Sequence, residues 1–401
     1  MTAVTQETSA AVKRDERRAG GVAFGAHALH DGYTDLVYVM LPIWQAEFGL
    51  SYAALGLMRG VFSGTLAAFQ VPSGMLAERL GVGAVLAGGT ALAGLGYILA
   101  GFSSGLTLLV VALFIGGLGA STQHPLASTL IARAFSGPRS FKALGTYNFS
   151  GDIGKMTLPA AAALLLVWMP WRETVMLLGG IGIFAAAAIY ILVPRFSAEQ
   201  PAVKDAAKKG ASAAARQRFA FPLLLSIGMI DSATRMAFLT FLPFVLTAKG
   251  ASLPTVGLAL TLVFAGGAVG KLVCAFIGAR IGAVATVWLT ETVTAIGIVA
   301  LLPMPVEAIL LLLPVLGIAL NGTSSVLYGS VPDLVEPSRR ARAFGIFYTG
   351  TIGSGAVAPA LYGLLGDFTG VPTALAVVAA GVLLTLPITL ALRPALAAAR
   401  S

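Results

Sequence analysis

Apolar residues run through this chain in long blocks, each closed by a short break of polar residues, glycine or proline. A helix rising 1.5 Å per residue needs about 20 apolar positions to cross a bilayer. Twelve blocks reach that length: 20–47, 52–77, 82–102, 105–133, 142–168, 172–194, 219–247, 253–279, 281–302, 307–331, 342–366 and 372–393. Gly49 with Ser51, Gly81 with Gly83, Gly137-Pro138, Pro170, Gly250, Pro303 with Pro305, Pro337 and Gly370 with Pro372 read as the turns between them. The longest polar stretch, Ser197 to Gln217, is rich in Ala and Lys and leaves six blocks on either side. The pattern predicts an all-α integral membrane protein of twelve transmembrane helices. Its expected parts are a tail at 1–19, a six-helix bundle at 20–194, a linker at 195–218, a second bundle at 219–393 and a tail at 394–401.

The two bundles repeat one another. Adding 201 pairs Leu41 with Leu242, Pro42 with Pro243, Gly49 with Gly250, Ser51 with Ser252, Gly56 with Gly257, Arg79 with Arg280 and Gly81 with Gly282. Further along the offset is 200, pairing Arg139 with Arg339, Lys142 with Arg342, Gly145 with Gly345 and Pro159 with Pro359. Apolar segments match by chance, whereas Gly, Pro and Arg at a gapless offset do so far less often. Six helices per repeat preserve orientation, so the halves are expected as parallel repeats, with a binding site near the midplane between them.

Composition sharpens this picture. Hydrophobic residues make up 57% and charged residues only 11%, against about 25% charged in soluble domains, and mean hydropathy is +0.88. The net charge of +9 would suit nucleic acid, but its placement suits a membrane better. With the N-terminus inside, 20 Lys and Arg fall on the inner side and two, Arg172 and Lys249, on the outer. That asymmetry predicts both termini in the cytoplasm and excludes nucleic acid as a partner. Cys274, the single cysteine, excludes an intrachain disulfide. The polar, basic first 20 residues read as a cytoplasmic tail, and the linker's basic face is expected against anionic headgroups.

Nine charged side chains fall within predicted spans: Asp31, Asp35, Arg59, Asp152, Lys155, Asp231, Arg235, Lys271 and Glu291, and with them His27, His30 and His124. Each charge at helix centre costs about 2.5–3.5 kcal/mol, so these groups are expected to face a cavity or one another. His27, Asp31 and Asp35 stand at i, i+4 and i+8 on one face, with His30 beside them. Carboxylates among imidazoles suit proton uptake and release, and these four residues are the proton-coupling candidates; a permanent structural pairing of Asp31 is the alternative. Asp231 with Arg235, and Asp152 with Lys155, are either internal ion pairs or substrate contacts. Lys271 has no sequence-local partner, and His124 precedes Pro125, hence adjoins a freed backbone carbonyl. Glu291, on a peripheral helix, and Arg59, free to snorkel outward, are the weakest candidates. The run from Gly74 through Glu78 and Arg79 to Gly81 offers a close helix approach and a charge latch for gating. No phosphate-binding lysine motif, metal-ligand cluster or nucleophilic triad is present in the sequence, so neither enzyme chemistry nor a cofactor is expected, and an ion gradient supplies the driving force.

Six plus six helices, the central linker and the Gly74–Gly81 loop resemble the major facilitator superfamily, with Glu78 in place of the usual Asp and Val82 where an arginine is common. Within it, His27-Ala-Leu-His30-Asp31, Gln123-His124-Pro125 and the run from Asn148 through Gly151, Asp152, Gly154 and Lys155 to Pro159 resemble the fosmidomycin-resistance type of efflux protein. There the resemblance sets Asp152 and Lys155 at uncharged positions. It implies a monomer in the bacterial cytoplasmic membrane that exports a small, often anionic compound or drug against protons. Asp31 would carry protons with His27 and His30, and His124, Asn148, Asp152, Lys155, Asp231, Arg235 and Lys271 would bind substrate. Proton-linked uptake of an organic anion, and a non-transporting receptor or scaffold, are the other readings.

Overall fold

A computed structural model of the chain describes residues 3–135, 138–194, 219–336 and 339–400. The expected linker at 195–218 and the expected turn residues Gly137 and Pro337 lie outside the described residues. Every regular element among those residues is an α-helix: α1 (Ala3–Phe48), α2 (Tyr52–Leu80), α3 (Val82–Gly101), α4 (Leu106–Ala120), α5 (Gln123–Ala134), α6 (Pro138–Leu165), α7 (Trp171–Leu192), α8 (Ala220–Ala248), α9 (Leu253–Leu301), α10 (Val306–Leu334), α11 (Arg340–Thr369), α12 (Val371–Val382) and α13 (Thr385–Arg400). With α4 and α5 as one passage, α9 as two and α12 with α13 as one, they make the twelve expected from the sequence. Nine stretches are long and apolar enough to span a membrane by composition. The others, α1, α6 and α11, are more polar, and two of them build the site described below.

The helix ends follow from particular residues. α1 begins at Ala3, so the expected tail is continuous with the first passage; Glu16 within it is held by Arg139 of α6 at 2.9 Å. The expected block 105–133 is interrupted at Ser121–Thr122. Pro125 has no N–H for the Ser121 carbonyl, and the Ser121 and Thr122 hydroxyls donate back to Leu118 and Gly119 at 2.7 and 2.9 Å. Gly81 (φ 88°, ψ 145°) turns α2 into α3, and Gly282 (φ 84°, ψ 163°) bends α9 into its second passage. Both sit in backbone that side-chain-bearing residues rarely adopt, 201 positions apart, so the internal repeat is present in the geometry. The two cations expected on the outer side each meet a helix C-terminus: Arg172 donates to the Ser103 carbonyl at 3.0 Å and Lys249 to that of Leu302 at 2.8 Å. Much of the surface is apolar, as a lipid-facing one must be. Phe184, Leu311 and Phe368 are 78%, 81% and 82% exposed.

The described residues group into two compact units, one from Met1–Val37 with Val61–Lys204, the other from Tyr38–Gly60 with Asp205–Ser401. The first has a core around Ala23, Leu86, Ala127, Leu130 and Ile131, the second around Leu224, Ile227, Val287, Val331 and Phe347. The stretch Tyr38–Gly60, expected with the first bundle, groups with the second because its backbone lies directly on α11. A Cβ on Gly60 would stand 2.6 Å from the Ala356 carbonyl oxygen. The Asp367 carboxylate caps α2 by accepting from the N–H groups of Tyr52 and Ala53 at 2.6 and 3.0 Å.

Helix crossings rest on small residues at defined positions. Where α3 meets α7, a Cβ on Gly179 would lie 2.5 Å from the Gly94 carbonyl oxygen, whereas one on neighbouring Gly180 would meet nothing within 4 Å. Gly179→Ala is therefore expected to destabilise the protein by about 1–3 kcal/mol through overpacking. Gly180→Ala should be neutral or stabilising by up to about 1 kcal/mol through helix propensity. Thermal unfolding of the two purified variants checks the contrast.

Candidate functional site

The polar face of α1 is buried in the first unit. His27, Asp31 and Asp35 stand one turn apart, at 4%, 7% and 5% exposure. α6 crosses this face with glycines at two points of the contact. A Cβ on Gly154 would run into the Ala28 carbonyl, and one on Gly151 would lie 2.6 Å from both Asp31 Oδ2 and His27 Nε2. Those glycines bring Lys155 into reach, and its Nζ lies 3.2 Å from Asp31 Oδ2. From α5, His124 Nε2 lies 3.7 Å from Asp31 Oδ1. Asp31 thus stands among His27, His124 and Lys155. Its own side chain is 10% exposed, while those of Lys155 and His124 are 30% and 43% exposed and open the cluster on one side.

Hydrogen bonding fixes where protons can sit. His27 Nδ1 lies 2.7 Å from the Tyr147 carbonyl oxygen, which can only accept, so Nδ1 carries a hydrogen. The ring is held by stacking on Tyr147, with centroids 4.1 Å apart, and the Tyr147 hydroxyl accepts from Gln123 Nε2 at 2.9 Å. Its other nitrogen, Nε2, lies 3.3 Å from Asp31 Oδ2. With Nδ1 carrying the hydrogen of the neutral ring, Nε2 and Asp31 Oδ2 face each other as two acceptors, and Lys155 Nζ approaches the same oxygen at 3.2 Å.

His30 is arranged otherwise. The Thr90 hydroxyl donates to the Leu86 carbonyl at 2.8 Å, so Thr90 Oγ1 accepts from His30 Nε2 at 2.9 Å. His30 Nδ1 is buried without a hydrogen-bond partner. That is a neutral ring joining α1 to α3, turned away from the contacts that Asp31 makes. The fold also gathers a donor set that spacing did not reveal, since ligating atoms of His27, Asp31 and His124 lie within 4.8 Å of one another. Two imidazoles and a carboxylate suit a transition metal, but the Lys155 ammonium already occupies the same carboxylate.

The remaining candidates are dispersed. Asp152 is buried on α6, and Asn148 is exposed there. In the second unit Asp231 is buried on α8 with Arg235 one turn further along that helix, and Glu291 is buried on α9. Lys271 is half-buried before the Gly282 bend of α9, whereas Glu291 lies after it. Gly74 has open space where a Cβ would stand, so the close approach expected of it is not made. Glu78 and Arg79 are exposed and form no ion pair among the described residues. Two side chains ranked weakest are instead deeply placed. Arg59, expected to snorkel, is 2% exposed, over the Tyr38 ring and donating to its hydroxyl at 3.1 Å; Glu291 is 1% exposed. Tyr147, next to Asn148, escaped sequence reasoning, and Gln123 was read only as part of the Gln123-His124-Pro125 run.

A helical membrane protein with a polar cluster buried in its helices has the construction of a solute carrier. The chain belongs to the Major Facilitator Superfamily, whose family model matches residues 23–232 and 224–400, and it is a transporter and not an enzyme. It is 26% identical over 366 residues to the probable sulfoacetate transporter of Cupriavidus necator, covering 83% of each chain. It is 27% identical over 247 residues to the probable L-galactonate transporter of Escherichia coli, covering 58% of this chain and 54% of the relative. Its fold is shared with an inward-facing, unoccupied bacterial homolog of the human lysosomal transporter Spinster, at TM-score 0.74 and 15% identity over 96% of this chain and 97% of the other.

The proton assignments are open to nitrogen-15 NMR, since the chain has three histidines. His30 is expected as the neutral Nε2–H tautomer. His27 is expected to bear hydrogen on Nδ1 with Nε2 sharing a second, and Asp31→Asn to convert it to the neutral Nδ1–H form. A His27 resonance unmoved by Asp31→Asn would contradict the shared proton.

Proposed function

We propose that this transporter carries a small organic anion together with a proton by alternating access, with the Asp31 cluster as the point where the two are coupled. The observation that carries this is Lys155 seated on Asp31 while its side chain remains partly open. Without the extra proton, His27 is neutral and Asp31 with Lys155 sums to zero, so the cluster offers an anion nothing. With it, the charge of the cluster becomes +1 and Lys155 can be shared with an incoming carboxylate or sulfonate. His124 adds a hydrogen-bonding nitrogen at the open side. Proton and anion then favour each other's binding, which is the requirement for cotransport.

The relatives named above are described as transporters of a sulfonate and of a sugar acid, which supports an anionic substrate. Export in exchange for protons, the reading drawn from the motif likeness in α1, α5 and α6, needs proton and substrate to compete for the cluster. Asp31 and Lys155 couple them in the opposite sense, so cotransport is preferred here. The charge asymmetry along the chain supports both termini on the cytoplasmic side of a bacterial inner membrane, and the protein acts as a monomer without a cofactor.

Proteoliposomes loaded with a panel of two-carbon sulfonates, carboxylates and sugar acids test this reading. Acid outside is expected to drive accumulation. Asp31→Asn should abolish it while leaving exchange of substrate across the membrane. Lys155→Met should raise KM on the order of 10- to 100-fold, from the roughly 1.5–3 kcal/mol of a charged hydrogen bond. Accumulation driven by acid inside, or unchanged in Asp31→Asn, defeats the assignment.

A further inference from the structure

Two of the chain's three histidines converge on one carboxylate. His27 Nε2 lies 3.3 Å from Asp31 Oδ2, and His124 Nε2 lies 3.7 Å from Asp31 Oδ1. One ligating atom from each of the three residues falls within 4.8 Å of the others. Bonds of about 2.0–2.1 Å to a tetrahedral ion set its ligand atoms roughly 3.3–3.4 Å apart. The His27–Asp31 pair already has that spacing. His124 is the donor that must close in, and its side chain, 43% exposed, is the one with room to turn.

The surroundings suit an ion in three further ways. A ligating histidine is held in place by a hydrogen bond from its other ring nitrogen. His27 Nδ1 makes that bond to the Tyr147 carbonyl at 2.7 Å, while the ring stacks on Tyr147, and Nε2 is left as a lone pair beside Asp31. Space is present at the donors, since a Cβ on Gly151 would stand 2.6 Å from both Asp31 Oδ2 and His27 Nε2, and glycine leaves that position open. The place also tolerates positive charge. Lys155 Nζ stands 3.2 Å from Asp31 Oδ2, and its side chain, 30% exposed, has a way out. The two imidazole rings meet edge to face, 84° apart, instead of stacking on one another. Two imidazoles and a carboxylate suit Zn²⁺, Co²⁺ or Ni²⁺, whereas Mg²⁺ and Ca²⁺ prefer oxygen throughout.

We propose that His27, Asp31 and His124 form a binding site for a divalent transition-metal ion, with Lys155 as its built-in competitor. The ion enters when the Lys155 ammonium withdraws toward the open side. It takes Nε2 of both imidazoles and the Asp31 carboxylate, and water completes its shell. Asp31 thus serves one cation at a time, a lysine of its own chain or a metal from solution. The site rests on the geometry of these donors alone and holds whatever solute the protein carries.

Titration of the purified full-length protein with Co²⁺, after removal of any polyhistidine tag, tests this through the visible absorption of the bound ion. One saturable Co²⁺ per chain is expected, displaced by Zn²⁺ and not by Mg²⁺. Asp31→Asn and His124→Ala should each weaken binding by about 10-fold or more, since even the outer partners of a metal ligand are worth that much. Lys155→Met should instead tighten it several-fold by removing the resident cation. In nitrogen-15 spectra Zn²⁺ should move the Nε2 resonances of His27 and His124 and leave those of His30, whose Nε2 is engaged by Thr90. Absence of saturable binding in both the wild type and Lys155→Met overturns the proposal, as does an affinity lowered by neither Asp31→Asn nor His124→Ala. Misfolding cannot imitate the tightening expected of Lys155→Met, so that variant decides the matter where the other two fold poorly.

Discussion

Holding Asp31 inside an apolar helix costs at least about 2.5–3.5 kcal/mol unless other groups meet its charge, and much of the first unit is organised around that requirement. Lys155 can reach the carboxylate because α6 has no side chain at Gly151 or Gly154. His27 can face it because the Tyr147 carbonyl fixes its ring from behind. His124 arrives on α5, which starts anew after the Ser121–Thr122 break instead of continuing α4. Removing one member of such a group leaves a buried charge without its partner, which is worse than never having buried it.

The internal repeat carries the fold but not the chemistry. Under the same offsets His27 corresponds to Gly228, Tyr147 to Phe347 and Lys155 to Gly355. A Cβ on Gly228 would lie 2.6 Å from the Phe347 ring, so an aromatic side chain of α11 packs over α8 much as Tyr147 stacks over His27, with every ionisable group deleted. The reverse exchange occurs three residues further on, where the histidine and threonine that bond in one unit are replaced by two acids, Asp231 and Glu291, in the other.

The frame was readable from the sequence because it rests on length and repetition. Twelve runs of spanning length, and glycines recurring at an offset of 201, state the passages and their turns without reference to any tertiary contact. Asp31 was legible for a similar reason, since a carboxylate flanked by imidazoles one turn apart is a local pattern. Its partnership with Lys155 was not, because it depends on α1 and α6 meeting at glycines, and a glycine announces neither its neighbour nor its angle. Arg59 was ranked low because it could snorkel and Glu291 because its helix was expected to be peripheral, yet both are buried. Gly74 failed in the opposite sense, carrying a family signature but no close neighbour.

The cap on α2 has a consequence for how the chain is made. Tyr52 and Ala53 bind a carboxylate lying 315 and 314 positions downstream. At roughly 5–20 residues per second of synthesis, Asp367 emerges about 15–60 s after the amides it satisfies. Through that interval the start of α2 has Ser51 Oγ, which accepts from the Ala54 N–H at 3.2 Å, as its local substitute. Closure of this part of the molecule belongs to the last stage of translation, since a chain that ends before residue 367 lacks the carboxylate that finishes the tip of its second helix.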